Sequence, residues 1–198
     1  MDINPETEEI LKSLKKIVYQ RRSLMPQLST PISEKDHILG NLNAPVVLVE
    51  YGDYQCKTCA LTHPIVKQLL KEMRGQLCFA FRHFPLKNSH PLAFIASQAA
   101  EAAALQNKFW QMHECLYHHH HALSLEAFPS YAEEIQLNIT LFNENLQNPF
   151  LISCIEENFC SGLDSGVNGT PCFFINKERY DGDRSYDTLL SALKNAVN

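Results

Sequence analysis

Short apolar runs and helically spaced apolar positions divide this chain into elements. Val46-Val47-Leu48-Val49 is a continuous apolar run after the turn Gly40-Asn41-Leu42-Asn43-Ala44-Pro45, and it predicts a buried strand over Val46–Tyr51. Lys57 to Met73 carries apolar residues at helical spacing and predicts a helix, kinked at Pro64 and ended by Gly75. Leu77 to Phe84 predicts a second strand, followed by a loop over Pro85–His90. A helical region then extends from Pro91 to about Gly162 and opens with Ala93, Ala96, Ala99, Ala100, Ala102, Ala103 and Ala104, small residues that permit close packing. Within it, further helices are expected at Ser124–Ile135, Thr140–Leu146 and Pro149–Cys160.

The remainder returns to the strand pattern. Val167-Asn168-Gly169-Thr170-Pro171 is a loop before a strand at Cys172–Ile175. Asn176-Lys177-Glu178 is a turn, Arg179-Tyr180-Asp181 begins a hairpin partner, and Tyr186–Val197 is a terminal helix. At the other end, Pro5–Arg22 reads as a helix with Ile10, Leu11, Leu14, Ile17 and Val18 on one stripe, and Ser23–Asp36 as an extended connector. That stripe needs a surface to dock on, in its own domain or on a second subunit. The order β, α, β, helical block, β, β, α describes a small α/β core with a helical insertion. The boundaries drawn from it are an N-terminal helix and connector (1–33), a core made of 34–88 with 163–198, and an inserted helical domain (89–162).

Composition narrows the class of protein. A chain of 198 residues supports one full core. The net charge of −5 and the lack of any Lys/Arg cluster beyond Lys15-Lys16 and Arg21-Arg22 argue against nucleic acid as a partner. The apolar runs are too short to span a bilayer. The acidic, polar start Met1-Asp2-Ile3-Asn4-Pro5-Glu6 does not resemble a secretory signal, so the expected compartment is the cytoplasm. The seven cysteines, an odd number, suit a reducing compartment better than a disulfide framework.

The chemistry concentrates in Cys56-Lys57-Thr58-Cys59, between the first strand and its helix. A thiolate at a helix N-terminus is stabilised by unpaired N–H groups and the helix dipole, and a thiol one turn on can resolve a mixed disulfide. Half a zinc site is the rival reading, but no second CxxC is present. Glu50 sits in the apolar strand six residues before Cys56, where burial of an ionised carboxylate is costly and raises its pKa. Cys172, Cys78 and Cys115 read as small apolar core residues, and Cys154 and Cys160 fall on different faces of their helix. The run His118–His121, after His113, reads as a solvated helix end, because consecutive helical residues point in different directions; His83 and His90 read as structural.

Four stretches together resemble the DsbA-like thiol–disulfide oxidoreductases of the thioredoxin superfamily. They are Gly40–Pro45, Val49–Cys59, Phe81-Arg82-His83-Phe84-Pro85-Leu86 and Gly166–Asn176, and the resemblance runs from about Ile32 to the C-terminus. It implies an α/β thioredoxin fold with an inserted all-helical domain, to which the N-terminal helix is an extension. It implies that Cys56 attacks, that Cys59 resolves, and that Glu50 accepts or relays the proton of the buried cysteine. It implies that Thr170–Pro171 is a cis peptide facing the cysteines, with Gly169, Thr170 and Pro171 offering backbone to an extended substrate.

Two positions depart from the pattern. Relatives often carry Pro followed by His or Tyr where this chain has Lys57-Thr58, a dipeptide that tunes the thiolate; the Lys57 cation is expected to favour it. Cys172 stands where Thr or Ala is usual. The implied activity is disulfide exchange with protein thiols, without a cofactor or metal, recycled by glutathione or a thioredoxin-type partner. The competing readings are a glutathione-linked reductase or transferase, and a non-enzymatic zinc-binding or chaperone-like protein that dimerises through its N-terminal helix.

Overall fold

The computed structural model describes residues 26–197. The helix expected at Pro5–Arg22, and any dimer contact through it, lie outside the described residues. A five-stranded sheet runs in the order β1 (His37–Leu39), β3 (Leu77–His83), β2 (Val46–Gly52), β4 (Cys172–Ile175), β5 (Glu178–Tyr180). Only β2 and β3 are parallel; the crossover between them is α1 (Lys57–Glu72). Gly75 closes that crossover at φ +81°, a conformation that suits glycine, before β3 begins.

β2 and β3 are central and covered on both faces, which is why they read as continuous apolar runs rather than alternating ones. β1 had no counterpart in the sequence reading. Its three residues, half-buried at the sheet edge, are too few to show a period. Elsewhere the differences are at element ends. The helix expected at Ser124–Ile135 is α4, Phe128–Glu134, after a turn closed by Ala127 N–H donating to the Ser124 carbonyl. The helix expected to end at Cys160 is α6, Pro149–Asp164, with Pro149 in its first turn and Asn148 capping it through the Phe150 N–H.

Between β3 and β4 lie five helices: α2 (Ala93–Ala104), α3 (Phe109–His118), α4, α5 (Ile139–Asn145) and α6. The chain then closes with α7 (Tyr186–Asn195). One cluster of buried residues runs from Val46, Leu48, Phe79 and Phe81 of the sheet into Ala96, Ala99, Met112, Leu116, Phe128 and Phe142 of the helices, and on to Leu189 and Leu193 of α7. Val49, Tyr51, Ala80, Cys172 and Phe174, on the other face of the sheet, form a second cluster with Leu28 and Phe84.

The connector crosses that second face. Gln27 bridges to Glu178, and Leu28 N–H donates to the Lys177 carbonyl. Buried Arg82 gathers the rest: it reaches Asp36 at 2.7 and 3.3 Å, the Thr30 and Pro31 carbonyls, and the Tyr51 hydroxyl. Five donors in a fixed fork suit that number of acceptors. Nothing but Arg could satisfy them all from one position.

Candidate active site

The strand β2 places Glu50, and the turn after it places the cysteines. Glu50 alternates with Val49 and Tyr51, so it shares the sheet face of Val46 and Leu48 with α1 above it. Asp53, fully buried, builds the turn: its carboxylate accepts from Gln55 N–H at 2.7 Å, Leu86 N–H at 2.9 Å and the His90 ring at 2.8 Å. Its carbonyl accepts from Cys56 N–H. Asp53 therefore ties the CxxC turn to the loop after β3, a role that sequence reading missed. His90 is part of that tie, consistent with its structural reading.

Cys56 is the N-cap of α1, and Cys59 is completely buried one turn into the helix. Both are free thiols. Lys57 and Thr58 between them are exposed. The Thr170–Pro171 peptide is cis and brings the Thr170 carbonyl to 3.3 Å from Cys56 Sγ. Gly169 and Thr170 are half-buried there and Pro171 is buried.

Electrostatics divide the two thiols. Cys56 is held down to about 5, first by the Cys59 thiol bonding to it, against burial, with the Thr170 side chain and the Cys59 and Thr58 backbone adding to the effect. Thr170 Oγ1 is buried and makes no hydrogen bond among the described residues, so its hydroxyl is available to turn to the thiolate. The Thr170 carbonyl counts the other way, because it accepts only from the thiol form. Lys57, expected to favour the thiolate, is not among these causes; it is exposed, where its charge is screened. Cys59 is pushed well up, by burial and then by its bond to Cys56 and the charges of Glu50 and Cys56.

Glu50 is pushed up to about 8, by burial first, then by the Cys56 charge, with Arg184 acting in the opposite sense. At 2% exposure it does not reach solvent, and its Oε1 has no hydrogen-bond partner among the described residues. Behind it Tyr117 packs against Gly52, where any Cβ would collide with the Phe81 ring and the Tyr117 hydroxyl. Tyr117 also feels the charges of Cys59 and Glu50, and it too was missed by sequence reading. Cys172 belongs to the core cluster on the opposite face of the sheet, as its small apolar reading expects.

Two groupings of metal-ligating atoms stand out among the described residues, His37–His83–Glu101 and Cys115–His119–Glu134; neither includes Cys56 or Cys59. In the first, one Glu101 oxygen bonds both imidazoles, at 2.7 and 2.9 Å. Burial raises Glu101, but the two histidines outweigh it and hold the carboxyl at about 2.

A strand, a CxxC at the first turn of the following helix, and a cis-proline loop against the cysteines, with helices inserted between β3 and β4, define a thioredoxin fold with a helical insertion. The family model described as Thioredoxin matches residues 32–195, and the chain belongs to that family. Among solved structures, oxidised BdbD from Bacillus subtilis superposes with a TM-score of 0.75 at 21% identity, over 87% of this chain and 97% of that one. Wolbachia pipientis α-DsbA1 gives 0.74 at 17%, over 84% and 93%. The curated relatives include the Na(+)/H(+) antiporter NhaA 1 of Salinispora arenicola, 36% identical over 170 residues, which are 85% of this chain but 26% of the antiporter. The chain thus spans about a quarter of the length of the curated relatives it matches. No helix among the described residues is long and apolar enough to cross a membrane.

Proposed function

We propose that this protein is a thiol–disulfide oxidoreductase acting on protein thiols through the Cys56–Cys59 pair. The observation that carries it is the division between the two thiols: Cys56 is held down to about 5 at the helix N-terminus, while Cys59 is buried and held well up. At neutral pH one is a ready nucleophile and the other a stored thiol.

In the reducing direction, the Cys56 thiolate attacks a substrate disulfide. A Cys56–substrate disulfide forms, and one substrate thiolate leaves. Cys59 then gives its proton to Glu50 and attacks Cys56 Sγ. The Cys56–Cys59 bond forms, the second substrate thiolate leaves, and two electrons have passed to the substrate. The rise in the Glu50 pKa times this transfer. Part of that rise comes from the Cys56 charge, and the charge is gone once Cys56 is in a mixed disulfide. Glu50 then falls towards the ionised form that accepts the Cys59 proton.

The same steps reversed oxidise a dithiol. Stabilising the Cys56 thiolate favours the reduced pair, so the disulfide form is inclined to donate oxidising equivalents. Gly169 and Thr170 offer backbone beside the reacting sulfur for an extended substrate, with little demand on its side chains. Cys59→Ser should trap substrates as mixed disulfides on Cys56, visible on non-reducing gels and cleared by dithiothreitol. A clean lane, with Cys56 confirmed as free thiol, would contradict the proposal.

A further inference from the structure

We infer that Cys115, His119 and Glu134 form a binding site for one divalent cation of the zinc class, remote from the redox pair. Cys115 and His119 are four residues apart, so they share one face where α3 ends. Glu134, the last residue of α4, meets them from the neighbouring helix. Their ligand atoms all lie within 4.8 Å of one another.

The spacing is that of ligands on a shared ion. Tetrahedral zinc, with bonds of about 2.3 Å to sulfur and about 2.1 Å to nitrogen and oxygen, sets S···O at about 3.6 Å and N···O at about 3.4 Å. Cys115 Sγ lies 3.7 Å from Glu134 Oε2, and His119 Nε2 lies 3.1 Å from the same oxygen. The third pair, Cys115 Sγ and His119 Nε2, lies within 4.8 Å. The His37–His83–Glu101 group differs in access: His83 and Glu101 are closed inside the core, whereas His119 and Glu134 open to solvent.

The site is also built around its ligands. The Tyr131 ring stacks on His119 at 4.7 Å and 12°, and the Tyr131 hydroxyl is fixed by donating to the Ala122 carbonyl. Such outer contacts orient a ligand ring. Glu134 is 55% exposed and His119 29%, so an ion has a way in and solvent can supply a fourth ligand. Sulfur, imidazole and carboxylate together select a zinc-like ion over magnesium or calcium.

Binding exchanges one proton and no electrons. Cys115 is a thiol in the free protein, because burial and then Glu134 push it up to about 12. Its proton leaves to solvent as the S–metal bond forms. Thiolate and carboxylate then neutralise the ion, and α3 is fastened to α4. Most of the histidine run remains what the sequence suggested, but His119 is set apart from it: the His120 ring, for one, turns to the Tyr117 carbonyl.

The test uses the full chain carrying Cys56→Ser and Cys59→Ser, so that the redox thiols do not compete. Titration with Co²⁺ should show a thiolate-to-cobalt charge-transfer band saturating at one equivalent. Zn²⁺ should displace the cobalt. Cys115→Ser should remove the band, and His119→Ala and Glu134→Gln should each weaken binding at least about tenfold. His120→Ala with His121→Ala should leave it unchanged. Glu134 is exposed, so its variant keeps the fold and reads the site alone. Absence of a thiolate band, indifference to Glu134→Gln, or loss of binding with His120 and His121 would overturn the assignment.

Discussion

Cys56 Sγ and the Thr170 carbonyl oxygen lie 3.3 Å apart across 114 residues of chain. This contact makes the nucleophile and the loop beside it one structure. The Thr170 hydroxyl is buried beside it without a hydrogen bond and is available to the thiolate, and Thr170→Val removes it while keeping the shape. The Cys56 pKa, about 5, should rise by about half a unit to one unit, read from thiolate absorbance against pH. An unchanged titration would show that the hydroxyl plays no part.

Glu50 sets how reduced-protein stability varies with pH. Its folded pKa, about 8, lies above its ordinary 4.5, so the folded state keeps a proton that the unfolded chain gives up between those values. That contribution is full below pH 4.5 and is lost as pH rises to about 8. Cys56 runs opposite: its pKa is lowered from 9.0 to about 5, so it adds stability as pH rises through that window. Glu50→Gln removes the falling part. Its stability relative to the parent should improve by about 2–4 kcal/mol between pH 4.5 and 8, by urea denaturation.

The same substitution separates the two chemical steps. Glu50→Gln should leave the first attack by Cys56 nearly unchanged. It should slow release by Cys59 about a hundredfold or more, because a positioned base is lost. Stopped-flow with a peptide disulfide should show the mixed disulfide accumulating. Equal slowing of both steps would assign Glu50 a structural part instead.

Asp36 answers Arg82 on the opposite face of the sheet, both nearly buried at 7% and 3% exposure. Asp36→Ala leaves that guanidinium without its carboxylate. The variant should lose about 3–5 kcal/mol of stability, measured by thermal or denaturant unfolding. A loss below about 1 kcal/mol would mean that Arg82 finds solvent instead.

The sequence disclosed the parts of this fold that are local. β2, α1, β3 and β4 were readable because buried central strands are continuous apolar runs and α1 follows directly from the CxxC turn. Cys56 and Cys59 were readable by spacing, and burial of Glu50 by its place in an apolar strand. What stayed hidden depends on contacts distant in sequence. β1 is a strand only because β3 is beside it. Asp53 looks like a turn residue until Leu86 and His90 come to it. Tyr117 and Glu101 sit among helical residues with no pattern to mark them.

The decisive measurement is equilibration in glutathione redox buffers, followed by acid quenching and mass mapping of every cysteine. One intramolecular disulfide, Cys56–Cys59, should form, and in Cys59→Ser a glutathione adduct should form first on Cys56. A pair that stays reduced at every glutathione ratio, or an adduct that forms first on another cysteine while Cys56 remains free, would contradict it.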